Sequence, residues 1–104
     1  MDYENLALRL GLETEEFMEL VSLYVETTTQ DLDRIRQGLA RGSAPDTAAA
    51  AHSIKGAAAN MGFSHMARLA EAMETQARDG ELTQLTPHLQ QFTRLMDELN
   101  PPNS

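Results

Sequence analysis

The 104-residue sequence predicts an all-α fold: an antiparallel up-down four-helix bundle with a short extra N-terminal helix. Three observations lead there. Apolar residues recur every three or four positions through four long segments, the period of an amphipathic helix. Helix start and stop residues separate those segments at short intervals, as in up-down bundles. Strand signals are weak throughout.

The first, short helix is expected over 3–10, ending near Gly11. Thr14 is placed as the N-cap of the next helix, with Glu15 and Glu16 in its first turn complementing the helix dipole. Its stripe runs Phe17, Leu20, Val21, Tyr24, Thr28, Leu32, Ile35, Leu39, and Arg41 with Gly42 supplies a last-turn cation and a stop. Ser43 caps the third helix, Pro45 is tolerated in its first turn, and Asp46 stands where a capping box returns its bond. That helix runs to about Asn60 and is stopped by Gly62. Ser64 is placed as the cap of the fourth helix, with Met66, Leu69, Ala70, Met73 and Ala77 as its stripe and Gly80 beyond its end. The last carries Leu85, Leu89, Phe92, Leu95, Met96 and Leu99 before Pro101 and Pro102. Pro87 leaves its start open between Leu82 and Pro87 itself. The whole reads as one domain over 1–104, with its core bundle at about 14–99 and a tail at 100–104.

Composition removes several classes of function. Hydrophobic residues make up 41% and charged residues 23%, the balance of a soluble globular chain. With no cysteine there is no disulfide framework, zinc-thiolate site or thiol chemistry, which is compatible with a cytoplasmic location. No apolar run approaches the ~18 residues of a membrane span, and the acidic start is unlike a secretory signal. A net charge of −8, with eight dispersed basic residues, argues against nucleic acid and anionic membranes.

The segment AAAAHSIKGAAANMG, Ala48 to Gly62, stands out. On a wheel of about 100° per residue, Thr47, Ala50, Ala51, Ile54, Ala57, Ala58 and Met61 share the core side. His52 lies about 160° from Ile54, on an outer face shared with Ala48, Ala49, Lys55, Gly56 and Ala59. A lone surface histidine or lysine is usually inert. A glycine within a helix otherwise rich in alanine costs roughly 1 kcal/mol, however, and so asks for a reason such as close approach by another molecule. If the turn to the next helix centres near Gly62 and Phe63, residues whose numbers sum to about 125 share one height. His52 is then level with Met73, beside Glu74, and Lys55 is level with Ala70, next to Glu71. A carboxylate there can accept from Nδ1, fix the tautomer and leave Nε2 free as a nucleophile. The spacing fits equally a Glu74 that simply flanks the apolar stripe.

The run from His52 through Lys55 and Gly56 to Gly62 matches H-x-x-K-G-x-x-x-x-x-G and resembles the histidine-containing phosphotransfer (HPt) domain family. Phe63, the Met73-Glu74 stripe and the ending Ala77 to Glu81 also resemble the phosphotransfer domain of chemotaxis kinases. The likeness extends from the Phe17 helix to the Leu99 helix. It implies that His52 carries a phosphoryl group on Nε2, that Lys55 offsets its charge, and that Gly56 admits a partner's active site. It further implies that Gly62 makes the tight helix exit and that Glu74 bonds Nδ1. Glu71 stands where the chemotaxis-type pattern often has a second histidine, a departure from that subfamily.

The resemblance implies a phosphocarrier in a two-component phosphorelay, passing phosphoryl groups between a histidine kinase or receiver domain and the aspartate of a response-regulator receiver. No Gly-rich phosphate loop or Mg²⁺-holding Asp pair is evident, so the chain is not expected to be an enzyme with its own nucleotide site or to bind a cofactor; Mg²⁺ would come from the partner. Ala48, Ala49, Gly56, Ala59 and Phe63 are the expected docking patch, with Met66 near it, on a cytoplasmic monomer. No kinase, dimerisation or receiver domain is evident, which fits a free-standing protein or one domain of a hybrid kinase. Two other readings remain open to these residues: a helical interaction module that has lost phosphotransfer, and a metal site of His52, His65 and His88. The metal reading lacks any i, i+4 histidine pair.

Overall fold

The computed structural model describes residues 3–99. Five α-helices make up the described chain: α1 (Tyr3–Arg9), α2 (Thr14–Arg41), α3 (Ala44–Asn60), α4 (Ser64–Arg78) and α5 (Thr86–Leu99), the last preceded by a 3-10 turn at Thr83–Leu85. The helical class is as expected, and the boundaries differ in small, physical ways. Glu13, not Thr14, caps α2, its backbone N–H donating to Glu16 Oε1 at 3.1 Å. Phe63, not Ser64, occupies the N-cap position of α4, because its ring is drawn into the core. Ser43 caps α3 as expected and accepts from the Asp46 N–H at 3.4 Å, while the Asp46 carboxylate is taken by Arg41 at 2.9 Å. Pro87 falls in the first turn of α5, where a missing N–H costs nothing. The tail expected at 100–104, with its two prolines, lies outside the described residues.

Helix α3 packs against both α2 and α4, α4 packs against α5, and α1 lies against α2. The core is centred on Phe17, Ile35, Ile54, Met73, Leu85, Phe92 and Leu99, all buried. Near one end Tyr3, Phe17, Phe63 and Tyr24 form a continuous aromatic chain, with ring centroids 5.9, 6.3 and 5.2 Å apart in that order. Burial raises the Tyr24 phenol to about 12, and its hydroxyl lies 3.7 Å from Met66 Sδ. Leu20, assigned to the apolar stripe, is exposed, because α2 turns only part of its N-terminal half toward a neighbour.

Small residues let the helices approach closely. A Cβ at Gly38 would strike Thr47 Oγ1 and lie 3.1 Å from the Thr47 backbone nitrogen. Thr47 cannot easily turn aside, since it is fully buried and its hydroxyl donates to Ser43 O at 2.8 Å. Further along the same seam, Ser53 Oγ on α3 donates to the buried Asp31 Oδ2 on α2 at 2.8 Å, and Arg34 holds the other oxygen at 3.1 Å. At Gly56, by contrast, an added Cβ would meet nothing within 4 Å.

The two helical glycines therefore have opposite fates on substitution. Gly38→Ala is predicted to destabilise by about 1–3 kcal/mol, because overpacking outweighs the gain in helix propensity. Gly56→Ala is predicted to stabilise by about 0.5–1 kcal/mol. Urea midpoints of the two variants against wild type check both signs.

Candidate functional site

Residues 44–60 form a helix because Ser43 closes its start and alanine dominates its interior. Its side chains are so short that α2 and α4 both press onto it, leaving a narrow outward strip. His52, Ala49, Gly56 and Ala59 lie on that strip and are exposed. Two residues assigned to the docking patch do not. Ala48 is buried, because it sits about 120° round the wheel from Ile54, on the side that α4 covers with Ala77. Phe63 is buried between Phe17 and Tyr24. Met66 is buried as well. A wheel with a single core direction cannot foresee a helix covered from two sides. Gly62 ends the segment at φ +77°, the left-handed conformation that a tight helix exit requires.

Opposite the strip, α4 presents Glu74, whose side chain is only 6% exposed. His52 Nδ1 lies 2.9 Å from Glu74 Oε2, Lys55 Nζ lies 2.8 Å from Oε1, and Arg78 Nη2 lies 2.6 Å from Oε2. The hairpin count placed Glu74 alongside His52, and the two side chains meet. Lys55 reaches Glu74 and not Glu71, which is exposed, and it is half-buried rather than fully solvated. Arg78 was not foreseen as part of this group, although its place four residues after Glu74 on one helix face was the available signal.

The electrostatics follow from this crowding. Burial by itself would raise the Glu74 carboxyl. The hydrogen bond and charge of Lys55, with the charges of Arg78 and His52, outweigh it and hold the group below its ordinary value. An ionised carboxylate has no proton to donate, so in a neutral imidazole the hydrogen must sit on Nδ1. Nε2 then carries the lone pair, on the opposite side of a ring that is 63% exposed. Among the described residues no side chain or backbone group bonds Nε2.

The structure thus brings together an outward imidazole, a buried carboxylate at its Nδ1 and a lysine one turn along the same helix. The Hpt domain model matches residues 19–100, all but the two ends of the chain. This chain belongs to the Hpt domain family. Hpt domains act in two-component phosphorelays, where a histidine carries the phosphoryl group between signalling partners. No curated protein and no solved structure matches the chain.

The remaining sequence candidates fall elsewhere. His65 lies in the first turn of α4 and His88 on α5, where its Nδ1 is 2.9 Å from Gln76 Oε1. Among the described residues no group of three or more His, Asp or Glu side chains converges as a metal site would. No helix among them is long and apolar enough to cross a membrane.

The Glu74 group makes stability depend on pH with a definite sign. Its folded value lies below its unfolded value near 4.5, so its contribution is complete above that pH and is lost as pH falls through the lower, folded value. Glu74→Gln is predicted to cost about 1–3 kcal/mol at pH 7. The gap to wild type should narrow steadily below about pH 4.5, as chemical denaturation at pH 7 and pH 4 would show.

Proposed function

We propose that this Hpt domain is a phosphocarrier that accepts a phosphoryl group on His52 Nε2 and yields it to a receiver-domain aspartate. The observation that carries the reading is the 2.9 Å contact of an exposed imidazole's Nδ1 with a buried, ionised carboxylate. In the forward step the Nε2 lone pair attacks phosphorus and a new P–N bond forms. The bond from phosphorus to the donor breaks, its electron pair leaving with the donor. The Nδ1 proton stays on the ring, bonded to Glu74, so no proton has to be removed from the nucleophile before attack. The reverse step breaks the P–N bond and leaves the lone pair on Nε2, while a carboxylate oxygen of the acceptor forms the new P–O bond.

Phosphorylation adds roughly two negative charges beside the ring, and Lys55, one turn along α3, is a cation whose flexible stem can meet them. Nothing in the domain supplies a nucleotide site in this reading. Activation of the donor or acceptor, Mg²⁺ included, falls to a kinase or receiver. The docking surface is the exposed strip of Ala49, Gly56 and Ala59 around His52, from which Ala48 and Phe63 are withdrawn. The open space at Gly56 supports it, since the glycine relieves no contact within the domain. We read the pairings of residue 38 with 47 and 31 with 53, and of 52 with 74, as an antiparallel up-down bundle, and we propose that it acts as a cytoplasmic monomer.

The test is transfer of labelled phosphoryl from a phosphorylated receiver or an active kinase. His52→Gln should abolish acceptance, and acceptance undiminished by that change would overturn the reading in favour of an interaction module without phosphotransfer. Lys55→Ala should slow transfer by roughly tenfold, the worth of one hydrogen bond to a charged group, while leaving the fold intact. Gly56→Leu should fold at least as well as wild type yet weaken receiver affinity in a titration.

A further inference from the structure

Glu74 is held by more than His52 needs. One carboxylate receives His52 and Arg78 on Oε2 and Lys55 on Oε1. These three are the charged and titratable groups acting on it: His52 and Lys55 from α3, and Arg78 from α4 itself. From α5, His88 is engaged with Gln76. As a donor's phosphoryl group approaches His52 Nε2, Lys55 faces two anions, the buried carboxylate and the incoming group. Its side chain is 32% exposed, and its long stem lets the ammonium turn outward. If it does so, Oε1 loses its donor, and an almost fully buried carboxylate stripped of its cation would draw a proton. A protonated Glu74 can donate to Nδ1, which places the ring hydrogen on Nε2 and blocks the reacting atom.

Resting on the phosphocarrier reading, we propose that Arg78 is a positioning residue of this site. It holds Glu74 as an acceptor toward His52 Nδ1 while Lys55 is engaged with the phosphoryl group. Three features suit Arg78 to this role. Its contact is on Oε2, the oxygen that serves His52, so it stays in place when Oε1 is vacated. Its guanidinium remains charged at every working pH. It reaches Glu74 from one turn along the same helix, so a partner docking on α3 need not disturb it. The two cations thus divide the work: Lys55 exchanges between the carboxylate and the phosphoryl group, and Arg78, though its side chain is 65% exposed, stays on the oxygen that serves His52.

The test uses the intact chain with ring-¹⁵N-labelled histidine, first without any donor. Lys55→Ala imitates the turned-away lysine, and its His52 ring should keep the Nδ1–H tautomer. Arg78→Ala alone should keep it also, since Lys55 remains. The double variant Lys55→Ala with Arg78→Ala should show a mixed or Nε2–H ring, and Arg78→Lys in the Lys55→Ala background should restore Nδ1–H. A double variant that retains the Nδ1–H signal of Lys55→Ala overturns the proposal. The second arm supplies phosphoramidate. The Nε2 lone pair forms the P–N bond, and the donor's own P–N bond breaks with its pair leaving on ammonia. Wild type should be labelled, Arg78→Ala roughly tenfold more slowly, a change equivalent to about one pKa unit at Glu74, and Arg78→Lys near the wild-type rate. Equal rates for wild type and Arg78→Ala overturn the role of Arg78 alone, whereas an unlabelled wild type overturns the phosphocarrier reading and this proposal with it.

Discussion

A single buried carboxylate fixes the geometry of the site. Burying Glu74 in ionised form costs several kcal/mol in lost hydration, so it is tolerable only with strong partners at bonding distance. His52, Lys55 and Arg78 supply them, within 2.6–2.9 Å. That requirement aligns α3 with α4 to one residue, since a slip would carry His52 and Lys55 off the carboxylate together. The same requirement sets the imidazole's tautomer. Structure and chemistry are therefore met by one interaction: what holds the helices in register also leaves Nε2 free.

The alanines of α3 are the complementary constraint. A helix between two neighbours has little room for side chains, and α3 meets that limit with eight alanines among its 17 residues. The close contact of Gly38 with Thr47 shows how tightly α2 approaches it. With both flanks covered, the exposed strip is reduced to a few small residues around one histidine. The imidazole consequently stands above its surroundings instead of among long neighbours. At Gly56 an added Cβ would meet nothing within 4 Å, so the glycine's cost in helix stability relieves no contact inside the domain.

Much of the fold was legible in the sequence because it rests on local rules. The 3.6-residue period, the Ser43 cap and the glycine stops gave the five helices their places within a few residues. Caps at Glu13 and Phe63 were less legible, because there the choice is decided by a reaching side chain or by core packing rather than by residue type. Within the site, the motif and a hairpin count brought His52 and Glu74 together, whereas the burial of Ala48 and Phe63 depends on which helices cover α3 and α4. Lys55 was set beside Glu71 because a count made on Cα heights ignores the length of a lysine stem. Arg78 could have been found from its four-residue spacing to Glu74, had Glu74 been known to be buried and in need of charge. Asp31 escaped notice for the same reason: its partner Ser53 lies on another helix, and only tertiary packing pairs them.

The proposed chemistry turns on His52 reacting through Nε2 because Glu74 holds the proton on Nδ1. The most direct measurement is the ³¹P–¹⁵N coupling of the phosphorylated, ring-labelled protein. That chemistry requires a one-bond coupling to Nε2 of His52, with Nδ1 still protonated. A coupling to Nδ1, or phosphate found on any other residue, would contradict it.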